Sequence, residues 1–232
     1  MRELDDFFTH VATRTTLPWP PHEPHWHVHA LLDPATAETL AEPYQGLITG
    51  RKHLAPVPFQ WMHLTVLHSL PERGLSRRQA GQLRDRLAEE LASALAEHGP
   101  IPARIGKARE WGAHGIACPV IPPAQILPLW SAATRAADDV TGGAPRLPAA
   151  YMPHVSLAYA TGPAAVVPIR WWLAEHDHLL PEITLTIREL HLVLQQHDGA
   201  AITWRRHGKA IPLPGTPAPS APSLSPALEA RS

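Results

Sequence analysis

Two short segments of this chain carry the same alternating pattern. Met62-His63-Leu64-Thr65-Val66 and Pro153-His154-Val155-Ser156-Leu157 each run His, apolar, hydroxyl, apolar, and the two histidines stand 91 residues apart. Alternation of this kind reads as a half-buried strand. On a strand, residues i and i+2 share a face, so Thr65 stands beside His63 and Ser156 beside His154. Brought together, two imidazoles and two hydroxyls make a phosphate-sized polar pocket with its own acid and base.

The rest of the chain arranges itself around these two strands. Residues 3–14 are expected as a short amphipathic helix with Leu4, Phe7, Phe8 and Val11 on one side. Leu17-Pro18-Trp19-Pro20-Pro21 then acts as a stiff spacer. Strands are expected at 26–32 and 60–67. Ser76 and Gln79 form a capping box for a helix over 76–98, whose Leu83, Leu87, Leu91 and Ala94 make an apolar stripe. Strands at 101–109 and 115–121 follow, then a helix over 123–140 whose start Pro128 delays or kinks. The second motif strand spans 153–160, and a helix kinked by Pro168 spans 163–175. A closing hairpin of 183–195 and 202–211 turns at His197-Asp198-Gly199.

The order of elements repeats between the halves, which points to a pseudo-symmetric α+β domain with each half giving one motif strand to a shared groove. The expected division is an N-terminal helix and Pro-rich spacer (1–24), one two-lobed domain (25–213) and a tail (214–232). That tail has five prolines in nineteen residues and is expected to be disordered.

Composition narrows the partners. At 232 residues and 44% hydrophobic content the chain suffices for one large domain. No apolar run approaches the roughly 20 residues needed to span a bilayer, so no membrane partner is expected. MRELDDFFTH carries acids where a secretory signal carries bases, and the lone Cys118 suits a reducing compartment; a cytoplasmic location is expected. A formal net charge of −1 favours a small ligand or an RNA end over an extended duplex.

Hydrolysing a phosphate ester needs a proton taken from water and another given to the departing oxygen. Histidine does either near neutral pH, its ordinary pKa being about 6.5. Hydroxyls such as Thr65 and Ser156 donate to nonbridging oxygens as charge builds there.

The motifs HLTV (63–66) and HVSL (154–157) resemble those of the two-histidine (2H) phosphoesterase superfamily and, within it, the bacterial 2′-5′ RNA ligase family. The resemblance covers about residues 25–213. It implies two antiparallel sheets forming a V-shaped central cleft with helices outside. It also implies a metal-independent phosphodiesterase acting on 2′,3′-cyclic phosphate or on 2′-5′ linkages, without a cofactor. His63 is then the acid on the leaving oxygen and His154 the base that activates water, roles the residues alone do not separate. Many members follow the first motif with Phe-Leu-Gly, where Leu67-His68-Ser69-Leu70 stands here. Many place an Arg soon after the second, where Ala158-Tyr159 stands. Part of the phosphate clamp is therefore expected from elsewhere, with Arg51, Lys52, Arg109 and Arg170 as candidates.

Trp61, two residues before His63, is expected on the same face, where it stacks a base or forms a groove wall. His25, His27 and His29 alternate on one strand face, and His27 and His29 are candidates to touch substrate. A zinc site there lacks a Cys or acidic partner at recognisable spacing. His68 is expected to face solvent or a loop, and Tyr159, five residues after His154, the opposite strand face. The alternative function is a non-catalytic module that holds an RNA end or nucleotide in the same cleft.

Overall fold

A computed structural model describes residues 3–71, 75–97, 99–143 and 151–216. The described elements begin with strand β1 (Glu3–Leu4), helix α1 (Phe7–Thr13), strand β2 (His25–Leu31), and helices α2 (Pro34–Ala41) and α3 (Gln45–Ile48). Strands β3 (Leu54–Pro56) and β4 (His63–Pro71) lead to helix α4 (Arg77–Ala94) and strands β5 (Ile101–Ile105), β6 (Arg109–Trp111) and β7 (Gly115–Pro119). Helix α5 (Leu127–Thr141), strands β8 (His154–Ala160) and β9 (Ala164–Ala165) and helix α6 (Val166–Glu175) come next. Strands β10 (Ile183–Ile187), β11 (Glu189–His197), β12 (Ile202–Arg206) and β13 (Ile211–Pro212) close the series.

The main sheet runs β12-β11-β2-β4-β8-β7-β6, with β13 added to β11 and β3 to β8. Its pairings are antiparallel. It consists of two wings, β12-β11-β2-β4 and β8-β7-β6, joined where Leu64 of β4 pairs with Val155 of β8. This is the α+β, two-winged architecture expected from the repeated order of elements.

Local chemistry explains the helices that lie outside the sheet. Ser76 and Gln79 form the reciprocal capping box of α4, and Leu83, Leu87 and Leu91 of its apolar stripe are buried. Helix α4 packs on α5, and α5 against β4. Pro128 sits in the first turn of α5, where a missing N–H costs nothing, so the helix begins at Leu127 and a 3-10 turn covers 123–125. Gly142 ends α5 in the left-handed conformation, φ 67°. Pro168 is likewise inside the first turn of α6 and leaves that helix intact.

Three sequence expectations are corrected. Leu4 belongs to β1, paired with β9, and not to the N-terminal helix. The stretch 183–195 is not one strand: it divides at Arg188, β10 pairing with β5 and β11 with β2 and β12. The first motif strand starts at His63, because Phe59–Trp61 is a 3-10 turn. Beyond Thr216, the tail expected to be disordered lies outside the described residues.

The N-terminal arm, Glu3 to Pro24, docks on the sheet. Phe8, Val11 and Trp19 form a small apolar cluster with Ile202 of β12, separate from the main core. Phe7 stacks on Tyr159 of β8 at 4.6 Å, and Asp5 N–H donates to the carbonyl of Ala113 at 2.6 Å.

Candidate active site

Leu64 and Val155 are fully buried in the main core. Their strand neighbours therefore point to the other face of the sheet. Antiparallel pairing through Leu64 and Val155 sets His63 across from Ser156 and Thr65 across from His154. All four line one cavity of about 350 Å³ between the wings and the N-terminal arm. Tyr151, just before the second motif, donates its hydroxyl to the carbonyl of Thr65 at 2.7 Å, tying the two motifs together.

The two histidines are held alike. His63 Nδ1 lies 2.7 Å from the carbonyl of Trp61, and His154 Nδ1 lies 2.9 Å from the carbonyl of Met152. A carbonyl only accepts, so Nδ1 carries the proton in both rings and Nε2 is the basic nitrogen of the neutral form. Burial pushes His63 down to about 4; the Trp61 carbonyl opposes that shift and His154 adds to it. Burial also lowers His154, opposed by the Met152 carbonyl. Both imidazoles are therefore neutral at pH 7.

Strict alternation fails at the same place in both strands. β4 changes register against β2 around Val28, and Val66 and Leu67 are both buried in the core. β8 changes register against β7 between Ile116 and Ala117, and Leu157 and Ala158 are both buried. Each irregularity shifts the strand's phase by one residue. His68 and Tyr159, each five residues after a motif histidine, thereby turn into the cavity. This corrects the expectation that His68 faces solvent and Tyr159 the opposite face. The consecutive apolar pairs Val66-Leu67 and Leu157-Ala158 were the sequence signal. Burial, then His154 and His63, push His68 down to about 3. Burial pushes the Tyr159 hydroxyl up to about 12, opposed by its hydrogen bond with Ser156.

The remaining candidates divide. His27 lines the cavity. His29 does not: it is fully buried and stacks flat against His63, centroids 3.8 Å and planes 11° apart. Trp61 sits in the 3-10 turn before β4, its ring edge-on to Trp204 at 5.2 Å and outside the cavity lining. Its carbonyl, not its ring, serves the site. The wall near His154 is instead Trp111, 4.4 Å from that imidazole. Among the described residues no group of three or more His, Cys, Asp or Glu is placed to hold a metal ion.

None of the four cations considered from the sequence lines the cavity. Arg51 donates to the carbonyl of Leu47 at 2.6 Å, Arg170 pairs with Glu110, and Arg109 lies over the Trp111 ring at 5.3 Å. The cavity's cation is Arg14, at the end of α1, a residue that sequence reasoning missed. Nothing local marks it, since its placement depends on how the arm docks.

The family model described as the 2′-5′ RNA ligase superfamily matches residues 32–199. The chain belongs to the 2′-5′ RNA ligase superfamily. Several solved structures share the fold of this superfamily member. One described as a phosphoesterase is 13% identical, with a TM-score of 0.60, covering 82% of this chain and 99% of its own. LigT of E. coli complexed with ATP is 14% identical, with a TM-score of 0.57, covering 83% of this chain and 99% of its own. TT0787 of Thermus thermophilus is 18% identical, with a TM-score of 0.56, covering 81% of this chain and 97% of its own. No curated protein sequence matches the chain.

Proposed function

We propose that this 2′-5′ RNA ligase superfamily member is a metal-independent phosphodiesterase. It opens 2′,3′-cyclic phosphates of RNA 3′ ends or small nucleotides, or cleaves and forms 2′-5′ linkages. The observation that carries the reading is the facing of two His–hydroxyl pairs across Leu64 and Val155, each imidazole oriented by a carbonyl two residues earlier.

The chemistry follows from that arrangement. His154 Nε2 takes a proton from water as the water oxygen bonds to phosphorus. The bond from phosphorus to O3′ breaks, its electron pair stays on O3′, and that oxygen takes a proton from His63 Nε2. The product is a 2′-phosphate, and exchange with solvent resets the pair. In the joining direction a 5′-hydroxyl replaces water. Thr65 and Ser156 donate to the nonbridging oxygens.

Burial keeps both histidines neutral at pH 7, whereas catalysis needs one of them charged. A bound phosphodiester supplies the missing negative charge and raises both pKa values, so the acid takes its proton from solvent as substrate binds. The cavity, about 350 Å³, is near the lower end of small-ligand pockets, which run roughly 300–1,000 Å³, and fits a nucleotide or chain end better than a duplex. Structures of LigT with ATP and with 3′-AMP support nucleotide ligands. No described helix is long and apolar enough to cross a membrane, in keeping with the proposed action in the cytoplasm. The proposed catalytic unit is 25–213, with the arm before it.

The test is hydrolysis of an RNA ending in a 2′,3′-cyclic phosphate, in EDTA, with His154→Ala alongside. Turnover to a 2′-phosphate by the wild type and none by the variant is expected. Binding without turnover across cyclic and 2′-5′ substrates would replace the enzyme with the binding module.

A further inference from the structure

Arg14 has no counterpart in the catalytic scheme, and its surroundings give it one. Among the described residues lining the cavity, it is the only Arg or Lys, and there is no Asp or Glu. Its Nε donates to the carbonyl of Leu17 at 2.5 Å, which pins the side chain at the end of α1. Its Nη2 is shielded from solvent and has no hydrogen-bond partner. A guanidinium donor left unpaired inside a protein is costly, and such groups persist where an anion meets them. Burial lowers the Arg14 pKa, in keeping with a charge held without a carboxylate.

The position of Arg14 is as informative as its charge. β2 runs beside β4 with Leu31 opposite His63, His29 opposite Thr65 and His25 opposite Pro71. The arm lies at the His25 end: the Trp19 ring stacks on His25 at 5.7 Å, and the Trp19 backbone N–H donates to the carbonyl of Val11 at 2.8 Å. Arg14 stands between Val11 and Trp19 in this loop. Along β4 that end lies beyond His68, which lines the same cavity as the motif residues. Arg14 acts on the charge of His25, His27 and His68 and is not among the groups that perturb His63 or His154. A ligand with one phosphate, held between the catalytic pair, leaves this cation unmet.

We propose that Arg14 makes the cavity a site for a ligand with two anionic groups, one phosphate between His63 and His154 and a second on the Arg14 guanidinium at the arm end. The first placement rests on the proposed function; the second does not. The ligand class is a nucleotide whose ribose carries the reacting phosphate at O2′ and O3′ and another phosphate at O5′.

The experiment uses the full chain and two product-like probes, adenosine 2′,5′-bisphosphate and adenosine 2′-monophosphate, with calorimetric dissociation constants. The wild type is expected to bind the bisphosphate at least about tenfold more tightly. In Arg14→Gln that ratio falls to near one, and in Arg14→Lys, which keeps the charge without the fork, it is intermediate. Equal affinities in the wild type overturn the proposal, as does an Arg14→Gln variant that weakens both probes by the same factor. If Arg14→Gln does not fold, the wild-type ratio and Arg14→Lys still decide. Turnover of cyclic phosphates with and without a 5′-phosphate separates the two readings. A bisphosphate preference lost in Arg14→Gln, with no turnover, removes the enzyme and keeps the two-anion site; turnover indifferent to the 5′-phosphate does the reverse.

Discussion

The imidazole of His29 lies flat against that of His63, 3.8 Å between centroids and 11° between planes, and neither His29 nitrogen has a hydrogen-bond partner. A buried ring that makes no polar contact serves by its shape. It fixes the plane in which His63 is held by the Trp61 carbonyl, and with it the direction of Nε2. His29→Phe, which keeps a flat ring, is expected to retain kcat within about threefold. His29→Ala frees the His63 ring and is expected to lower kcat by about tenfold with a smaller change in KM. Steady-state kinetics on a cyclic phosphate check this; equal losses in both variants would show that a polar role had been missed.

Removal of either motif histidine is expected to lower kcat by roughly 10²–10⁴-fold. The double variant His63→Ala/His154→Ala should be little worse than the poorer single one, because acid and base act in one step. Thr65→Val and Ser156→Ala should each cost about 10²-fold if each hydroxyl donates to the charged transition state. Single-turnover rates measure all five variants. Strictly additive losses would mean that the two imidazoles do not work as a pair.

The pH profile follows from the burial of the pair. In the free protein His63 is pushed down to about 4 and His154 is also lowered. The form with one proton shared between them is therefore most populated below the ordinary histidine value, and kcat/KM should peak on the acid side of about pH 6.5. A bound phosphate anion raises both groups, so the kcat profile should lie at higher pH than that of kcat/KM. Coincident profiles would count against substrate-assisted protonation.

Stability should fall with acid for the same reason. Burial lowers His27, His29 and His68, the last to about 3. Above about pH 6.5 each is neutral whether folded or unfolded and contributes nothing. As pH falls below that value the unfolded chain takes up protons that the folded chain refuses, so stability is lost progressively, by up to about 1.4 kcal/mol per pH unit per group. Denaturant unfolding between about pH 7.5 and 5 measures the slope, and His29→Phe should reduce it by one proton. An unchanged slope would mean that His29 is not a neutral buried group.

Much of the site was legible because it is local. The His–apolar–hydroxyl alternation gave both motif strands and the shared face of each pair, and Ser76 with Gln79 gave the start of α4, since period and capping depend on residues within one turn or one pleat. His68 and Tyr159 were misplaced because strict alternation was carried past Val66-Leu67 and Leu157-Ala158, where the strands shift phase. Arg14 left no local trace at all.

What the amino-acid order determined by itself was which side chains share a face. Which faces meet was decided only in three dimensions: Leu64 against Val155 brings the two motif histidines together, and Leu4 against Ala164 brings the arm and its arginine over the cavity. The physical reason is that side-chain direction is set by backbone period over a few residues. The docking of distant strands is set by apolar surface they bury jointly, which no single segment encodes.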